Sequence, residues 1–173
     1  IQLARVIGAR RILATDINEY RLKAARRFGA DVVIHAEEDV PTRLRQVNEN
    51  RLVDRVVVST GAPSALTQAL RCVDSTGTIL YFAPTDPRID IPIPFNQFWS
   101  NQITLTTSYA ASPPDITAAI ELIRDRSINV RDMITHRLSL PETALGFRLV
   151  AEAKESIKVI IKPHKEVRTA RSQ

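Results

Sequence analysis

The sequence predicts an α/β fold in which a parallel sheet is covered by helices, and three observations predict it. Short runs rich in valine and isoleucine alternate with helical stretches at close spacing, the pattern of strands joined by crossover helices. Those runs are apolar almost throughout, as strands buried on both faces are. The first of them, Arg10 to Asp16, closes on a carboxylate, and a helical stretch follows at once.

Taken in order, Ile1 to Ile7 reads as the end of a helix with Gly8 as its C-terminal cap. The strand ending at Asp16 is followed by a helix from Glu19 to Phe28, stopped by Gly29. Asp31 to His35 is a β-branched strand, and Pro41 to Asn50 a helix with proline in its first turn. Val53 to Thr60 is a third strand that runs into the turn residues Gly61, Ala62 and Pro63. Ser64 is expected to cap a helix through Val73, which carries the single cysteine, Cys72. Gly77 to Ala83 is a buried strand stopped by Pro84.

From Pro84 to Asn101 the expectation changes to an extended, irregular segment, with prolines at Pro84, Pro87, Pro92 and Pro94 and aromatics at Phe95, Phe98 and Trp99. Its Ile89 to Pro94 stretch alternates and suits an edge strand. Ile103 to Ser108 is a strand. Pro113 to Arg126 is a helix on which Ile116, Ala119, Ile120 and Ile123 share a face. Ile134 to Leu140 is a strand, Pro141 to Ala153 a helix with Leu145, Leu149 and Val150 inward, and Lys158 to Lys162 the last strand. Pro163 to Gln173 is polar and expected to fray.

The 173 residues suffice for a sizeable core, and the 44% hydrophobic and 25% charged content exclude a disordered chain. No apolar run is long enough to span a bilayer. The single cysteine excludes an internal disulfide and a multi-cysteine zinc cluster, and points to a reducing, cytoplasmic setting. The net charge of +5 is spread over arginines from Arg5 to Arg148, and aromatics are only 5% of the chain, so no nucleic-acid groove is expected.

In a nucleotide-binding sheet the second strand ends on an acid that accepts hydrogen bonds from both ribose hydroxyls of an adenosine. Asp16 stands in that place, and its charge would disfavour a 2′-phosphate, selecting NAD over NADP. It also suits an N-cap, and both roles can coexist. The same fold carries a G-x-G-x-x-G turn roughly 20 residues before the acid. The five glycines here (Gly8, Gly29, Gly61, Gly77 and Gly146) form no such turn. The expectation is a Rossmann-type parallel sheet lacking its first strand and glycine-rich turn, within a piece of a longer protein.

Several motifs together, in order and spacing, resemble the zinc-dependent medium-chain alcohol dehydrogenases, with the sorbitol and threonine dehydrogenase branch nearest. They are Thr15-Asp16-Ile17-Asn18, Phe28-Gly29-Ala30-Asp31, Val53-Asp54-Arg55-Val56-Val57 ending at Thr60-Gly61, Thr135-His136-Arg137 with Leu140-Pro141, and Glu155-Ser156-Ile157-Lys158. The resemblance implies a partial dinucleotide-binding domain over 1–108, the carboxyl-terminal part of a catalytic domain over 109–165, and a tail over 166–173. It implies NAD as cofactor, zinc held by ligands that match no position here, and a small alcohol or polyol as substrate. It also implies a homo-oligomer, dimer or tetramer, through the 85–108 region.

Residue by residue, the resemblance places Arg21 near the adenosine ribose and Lys158 near the pyrophosphate. Phe82, Ala83 and Pro84 would lie beside the nicotinamide. Ser108, Tyr109 and Ala110 would hold its carboxamide through the backbone. Ala110 stands where some polyol enzymes carry arginine, a departure that bears on the substrate. From the residues themselves, Thr60 and Gly61 sit at a strand end where a missing Cβ lets backbone approach a ligand. No catalytic residue is assigned: His35 follows a strand end, His136 reads as structural within a strand, His164 lies in the tail, and Cys72 reads as a small buried helix residue.

Two rival readings share much of this pattern. A methyltransferase binding S-adenosylmethionine also places an acid after its second strand, but usually finishes its sheet with an antiparallel hairpin. A non-catalytic nucleotide-binding module would share every feature.

Overall fold

The computed structural model describes residues 1–163. In chain order the elements are α1 (Gln2–Val6), β1 (Leu13–Asp16), α2 (Glu19–Arg27), β2 (Val32–His35), α3 (Val40–Val47), β3 (Val53–Val58), α4 (Pro63–Leu70) and β4 (Val73–Tyr81), then α5 (Phe95–Ser100), β5 (Thr104–Thr107), α6 (Pro113–Arg124), β6 (Ile134–Ser139), a 3-10 turn (Leu140–Glu142), α7 (Thr143–Glu152) and β7 (Lys158–Lys162).

The expected parallel α/β architecture is present. β3, β4 and β5 form one parallel sheet with β4 central, β6 pairs β7 in parallel, and β1 pairs β2. In the order 3-2-1-4-5-6 the fold's first strand separates the pair formed by its second and third strands from the rest. The observed grouping of β1–β2 apart from β3–β4–β5 is that order without its central member. β3 accordingly ends its sheet, and its Val57 is 61% exposed, although parallel strands are normally covered.

The chain forms two compact units. One comprises Ile1–Ala14, Asn18–Asp31 and the described residues from Thr117 onward; the other comprises Thr15–Ile17 and Val32–Ile116. In the second unit the core gathers Val58, Leu66, Ala69, Leu70, Val73, Ile79 and Phe98, with Ile79 wholly buried on the central strand. In the first unit α7 lies on β6 and β7. Gly146 makes this possible, since a Cβ there would stand 3.1 Å from Ile161 Cδ1 and 3.4 Å from Leu138 Cδ1. The start of this unit is tied by Asp31, whose carboxylate accepts from Arg5 Nη2 and from the Ile12 N–H, each at 2.7 Å.

Several boundaries differ from expectation, each for a local reason. Ser64 is not the cap of α4: Pro63 occupies the first turn and Ala62 is the N-cap, because proline's missing N–H fits a position that has no partner in any case. α4 stops at Leu70, so Cys72 lies in the turn between α4 and β4, buried but not helical. β4 begins at Val73, not Gly77. Between Val53↔Val73 and Arg55↔Thr78 the register with β3 shifts, and Thr76 takes φ 60°. Gly77 therefore belongs to an irregularity inside the strand rather than marking its start. α3 ends at Val47, with Glu49 and Asn50 both at positive φ.

The 84–101 segment is not wholly irregular, since Phe95–Ser100 is helical. This splits the aromatic cluster: Phe98 enters the core while Phe95 and Trp99 remain 71% and 76% exposed. Ile89 to Pro94 joins no strand. On α6 the expected isoleucine face is about half exposed at Ile116, Ile120 and Ile123. On α7, Leu145 and Val150 are exposed rather than inward, because the buried face is centred on Gly146. The expected fraying tail and His164 lie outside the described residues.

Candidate functional site

The sheet register brings three loops to one edge. Val58 stands beside Tyr81, and Tyr81 beside Thr107, so β3, β4 and β5 end level with one another. The Phe82 N–H donates to the Val58 carbonyl at 3.0 Å and the Ser108 N–H to the Tyr81 carbonyl at 3.4 Å, extending the ladder into the first loop residues. Thr60 and Gly61, Phe82 to Pro84, and Ser108 to Ala110 thus leave the carboxyl edge of one parallel sheet side by side. In open α/β sheets ligands bind outside that edge.

Gly61 also meets a packing requirement there. A Cβ at this position would collide with the Pro84 carbonyl oxygen and lie 3.3 Å from the Thr85 Cα. The missing side chain admits the neighbouring loop. Thr60 Oγ1 accepts from the Ala62 N–H at 3.3 Å, so its hydroxyl serves the turn. Phe82 is 58% exposed and Tyr109 fully so. Ala110 holds φ 60°, a conformation that non-glycine residues keep at some cost and that gathers at functional sites.

Asp16 ends β1 and is half-buried. Its carbonyl accepts from the Ala36 N–H at 3.0 Å, and the next carbonyl, that of Ile17, lies 3.0 Å from His35 Nε2. Asp16 therefore belongs to the same compact unit as the three loops. Arg21 and Lys158 belong to the other unit: Arg21 lies in the first turn of α2, half-buried, and Lys158 opens β7, exposed. Asn18 caps α2, its Oδ1 accepting from the Tyr20 and Arg21 N–H groups at 2.8 and 3.2 Å.

Among the described residues no three His, Cys, Asp or Glu side chains converge as a metal site would require. His35 is held by the Ile17 carbonyl, and His136 Nδ1 lies 3.0 Å from Thr135 Oγ1. The Cys72 thiol is pushed up to about 11 by burial, the state of an inert core residue.

A cavity of about 420 Å³ opens between the first turns of α3 and α4, with Asp39, Ser64, Thr67 and Arg71 in its wall. None of the sequence-predicted site residues lines it, and Arg71 is already 3.9 Å from Asp39. Two residues had gone unassigned from the sequence. The Thr85 Oγ1 is buried with no hydrogen-bond partner among the described residues; nothing in the sequence marks it. Asn18 had a signal, the N-cap preference of asparagine ahead of a helical run.

The model of the zinc-binding dehydrogenases matches residues 1–125. The chain belongs to the zinc-binding dehydrogenase family. Among curated members, it is 29% identical over 165 residues to YdjL of Escherichia coli K12, an uncharacterized zinc-type alcohol dehydrogenase-like protein, covering 93% of this chain and 45% of that one. It is 25% identical over 163 residues to mouse sorbitol dehydrogenase, covering 92% and 44%. The chain therefore spans about half the length of the curated family members it matches.

Among solved family structures, the alcohol dehydrogenase TADH from Thermus sp. ATN1 superposes with a TM-score of 0.82 at 27% identity, over 93% of this chain and 46% of that one. Two more distant folds were solved with nucleotides. A zinc-binding dehydrogenase from Sinorhizobium meliloti (TM-score 0.84, 21% identity, 94% and 48% covered) holds NADP. A protein from Escherichia coli CFT073 described as a short chain alcohol dehydrogenase (TM-score 0.81, 16% identity, 93% and 47% covered) holds NADH. The family assignment removes the methyltransferase reading, and β6 and β7 run parallel where such enzymes usually have an antiparallel hairpin.

Proposed function

We propose that this chain supplies the dinucleotide-binding surface of an alcohol or polyol dehydrogenase of the zinc-dependent kind. The supporting observation is the level ending of β3, β4 and β5, which gathers segments 60–61, 82–84 and 108–110 at one sheet edge. The residues fit a nicotinamide dinucleotide in their chemistry: one acid and Arg21 for the ribose side, backbone-rich loops for an amide, and Lys158 for the pyrophosphate. When bound, the nicotinamide ring exchanges a hydride with the substrate carbon.

Asp16 accepts hydrogen bonds from the adenosine ribose hydroxyls and repels a 2′-phosphate, favouring NAD over NADP. Arg21 and Lys158 offset ribose-side and pyrophosphate charge. Backbone groups of Phe82 to Pro84 and of Ser108 to Ala110 orient the nicotinamide and its carboxamide. Among the described residues no group of His, Cys, Asp or Glu side chains gathers as a zinc ligand set. In this reading residues up to about 108 belong to the cofactor domain and 109–165 to the catalytic domain, in a cytoplasmic enzyme.

The sequence has no G-x-G-x-x-G turn, and that turn with its helix N-terminus supplies most of the pyrophosphate donors. The isolated chain should therefore bind NAD weakly and turn over no alcohol; calorimetry showing micromolar binding would overturn this. The site itself is tested by NMR titration with millimolar NADH and NADPH. Amide shifts should fall at 15–21, 60–62, 82–85 and 108–110, larger for NADH, and Asp16→Asn should erase that preference. Shifts confined to other surfaces would remove the reading.

The chain also carries an exposed aromatic face, Phe95 and Trp99, on α5, the helix that precedes the edge strand β5 in the chain. This supports a two-fold dimer through the 85–108 region. A Trp99→Ala chain that keeps its oligomer mass in light scattering would count against it.

A further inference from the structure

Asn18 uses both ends of its side-chain amide. Its Oδ1 caps α2 by accepting from the Tyr20 and Arg21 N–H groups. Its Nδ2 donates to the carbonyls of Ala153 and Lys154, at 2.7 and 2.9 Å, 135 and 136 residues away in sequence. Those carbonyls belong to the turn that leaves α7, where Ala153 is left-handed with φ 52°.

The rest of that turn is fixed equally firmly. Ser156 is 3% exposed and its Oγ donates to the Leu149 carbonyl at 2.7 Å. The Ile157 N–H donates to Thr135 Oγ1 at 3.1 Å, and Thr135 Oγ1 in turn donates to the Lys158 carbonyl at 3.2 Å. The turn thus runs from the Asn18 clamp to Lys158 within five residues, each half held by side chains. On the other side of the clamp, the Arg21 N–H is bound to the same Asn18 side chain.

We propose that Asn18 is a positioning residue that fixes Arg21 and Lys158, the two cations of the dinucleotide surface, in one shared arrangement toward an adenosine diphosphate group. The inference rests on the reading of that surface given above. A helix cap alone would need only the Oδ1. Aiming the two donors at a left-handed turn far along the chain joins two segments that otherwise meet the ligand independently. Joining them before binding lowers the ordering cost of the complex.

The test separates the two ends of the amide. Asn18→Ser keeps a good N-cap acceptor but has no second arm to reach 153 and 154; Asn18→Ala loses both. Each full chain is titrated with ADP-ribose to millimolar concentration by NMR, and melting is followed by circular dichroism. In the wild type the Arg21 and Lys158 amides should shift with one common dissociation constant. In Asn18→Ser that constant should rise about three- to tenfold, as when the strength of one of the two lost neutral hydrogen bonds is transmitted to the ligand. The melting temperature should stay near that of wild type.

An unchanged constant in a folded Asn18→Ser chain overturns the proposal and leaves the surface intact. No shift at Arg21 or Lys158 in the wild type overturns the surface itself. Should Asn18→Ser fail to fold, Asn18→Asp, also a strong cap without the donors, carries the same comparison at raised salt, where its added charge is screened.

Discussion

Gly61 and Pro84 approach so closely that any side chain at position 61 collides with the Pro84 carbonyl oxygen. The contact joins the loops after β3 and β4 at the carboxyl edge of the sheet. It makes Gly61 a packing requirement of the site rather than a matter of backbone angle.

Gly61→Ala should therefore destabilise the chain by about 1–3 kcal/mol, the usual range for an extra methyl forced into a filled space. Thermal melting reads the loss, and NMR should show displaced amides over 82–85. A variant that melts with the wild type would mean that the two loops can part freely.

Asp31 gives a pH signature. Its carboxyl is held below the ordinary 3.8, first by the Ile12 N–H and then by the Arg5 guanidinium. A carboxylate depressed in the folded state contributes stability that is present above its unfolded value and is lost as pH falls through its folded value. Asp31→Asn removes that contribution. The urea midpoint of the wild type should exceed that of the variant at pH 6, and the gap should close as pH drops below about 4. A gap that is constant with pH would show that the carboxylate's charge is not what stabilises the fold.

Cys72 should be silent in the native chain. Burial raises its thiol to about 11, so little thiolate exists at pH 8 and the sulfur is covered. Ellman's reagent should label no thiol in buffer and one per chain in denaturant. Rapid native labelling would mean that the turn between α4 and β4 opens.

Gly146→Val should destabilise by about 2 kcal/mol, as overpacking of a close contact does. The added methyls enter the space held by Ile161, Leu138 and Val159, all within 3.5 Å of where a Cβ would stand. Chemical denaturation measures the loss, and a neutral result would show that α7 can move off β6 and β7.

The strands and helices themselves were legible because their signals are local. Valine-rich runs, Gly29 after α2 and Pro63 at the head of α4 each act through backbone sterics within a few residues. Asp16 at a strand end and the absent glycine turn were equally local, and they pointed to the parallel fold with its central strand missing. Where sequence reasoning failed, the deciding contact was distant. Gly77 resembled a strand start but sits in a register shift against β3. Leu145 and Val150 fitted a helical stripe, yet the close approach of α7 to its strands centres on Gly146 and turns them outward. Phe98 and Trp99 are neighbours in sequence, but α5 sends one into the core and the other to the surface.

Sequence by itself determined the α/β class, the order of elements and the residue types suited to a dinucleotide. Tertiary structure alone decided that three loops end level and that Gly61 must be bare against Pro84. It alone also decided that Asn18 reaches across 135 residues to the turn before Lys158. The physical reason is range. Propensity and capping act along a few bonds, whereas register, close approach and long-range hydrogen bonds exist only once distant segments have met.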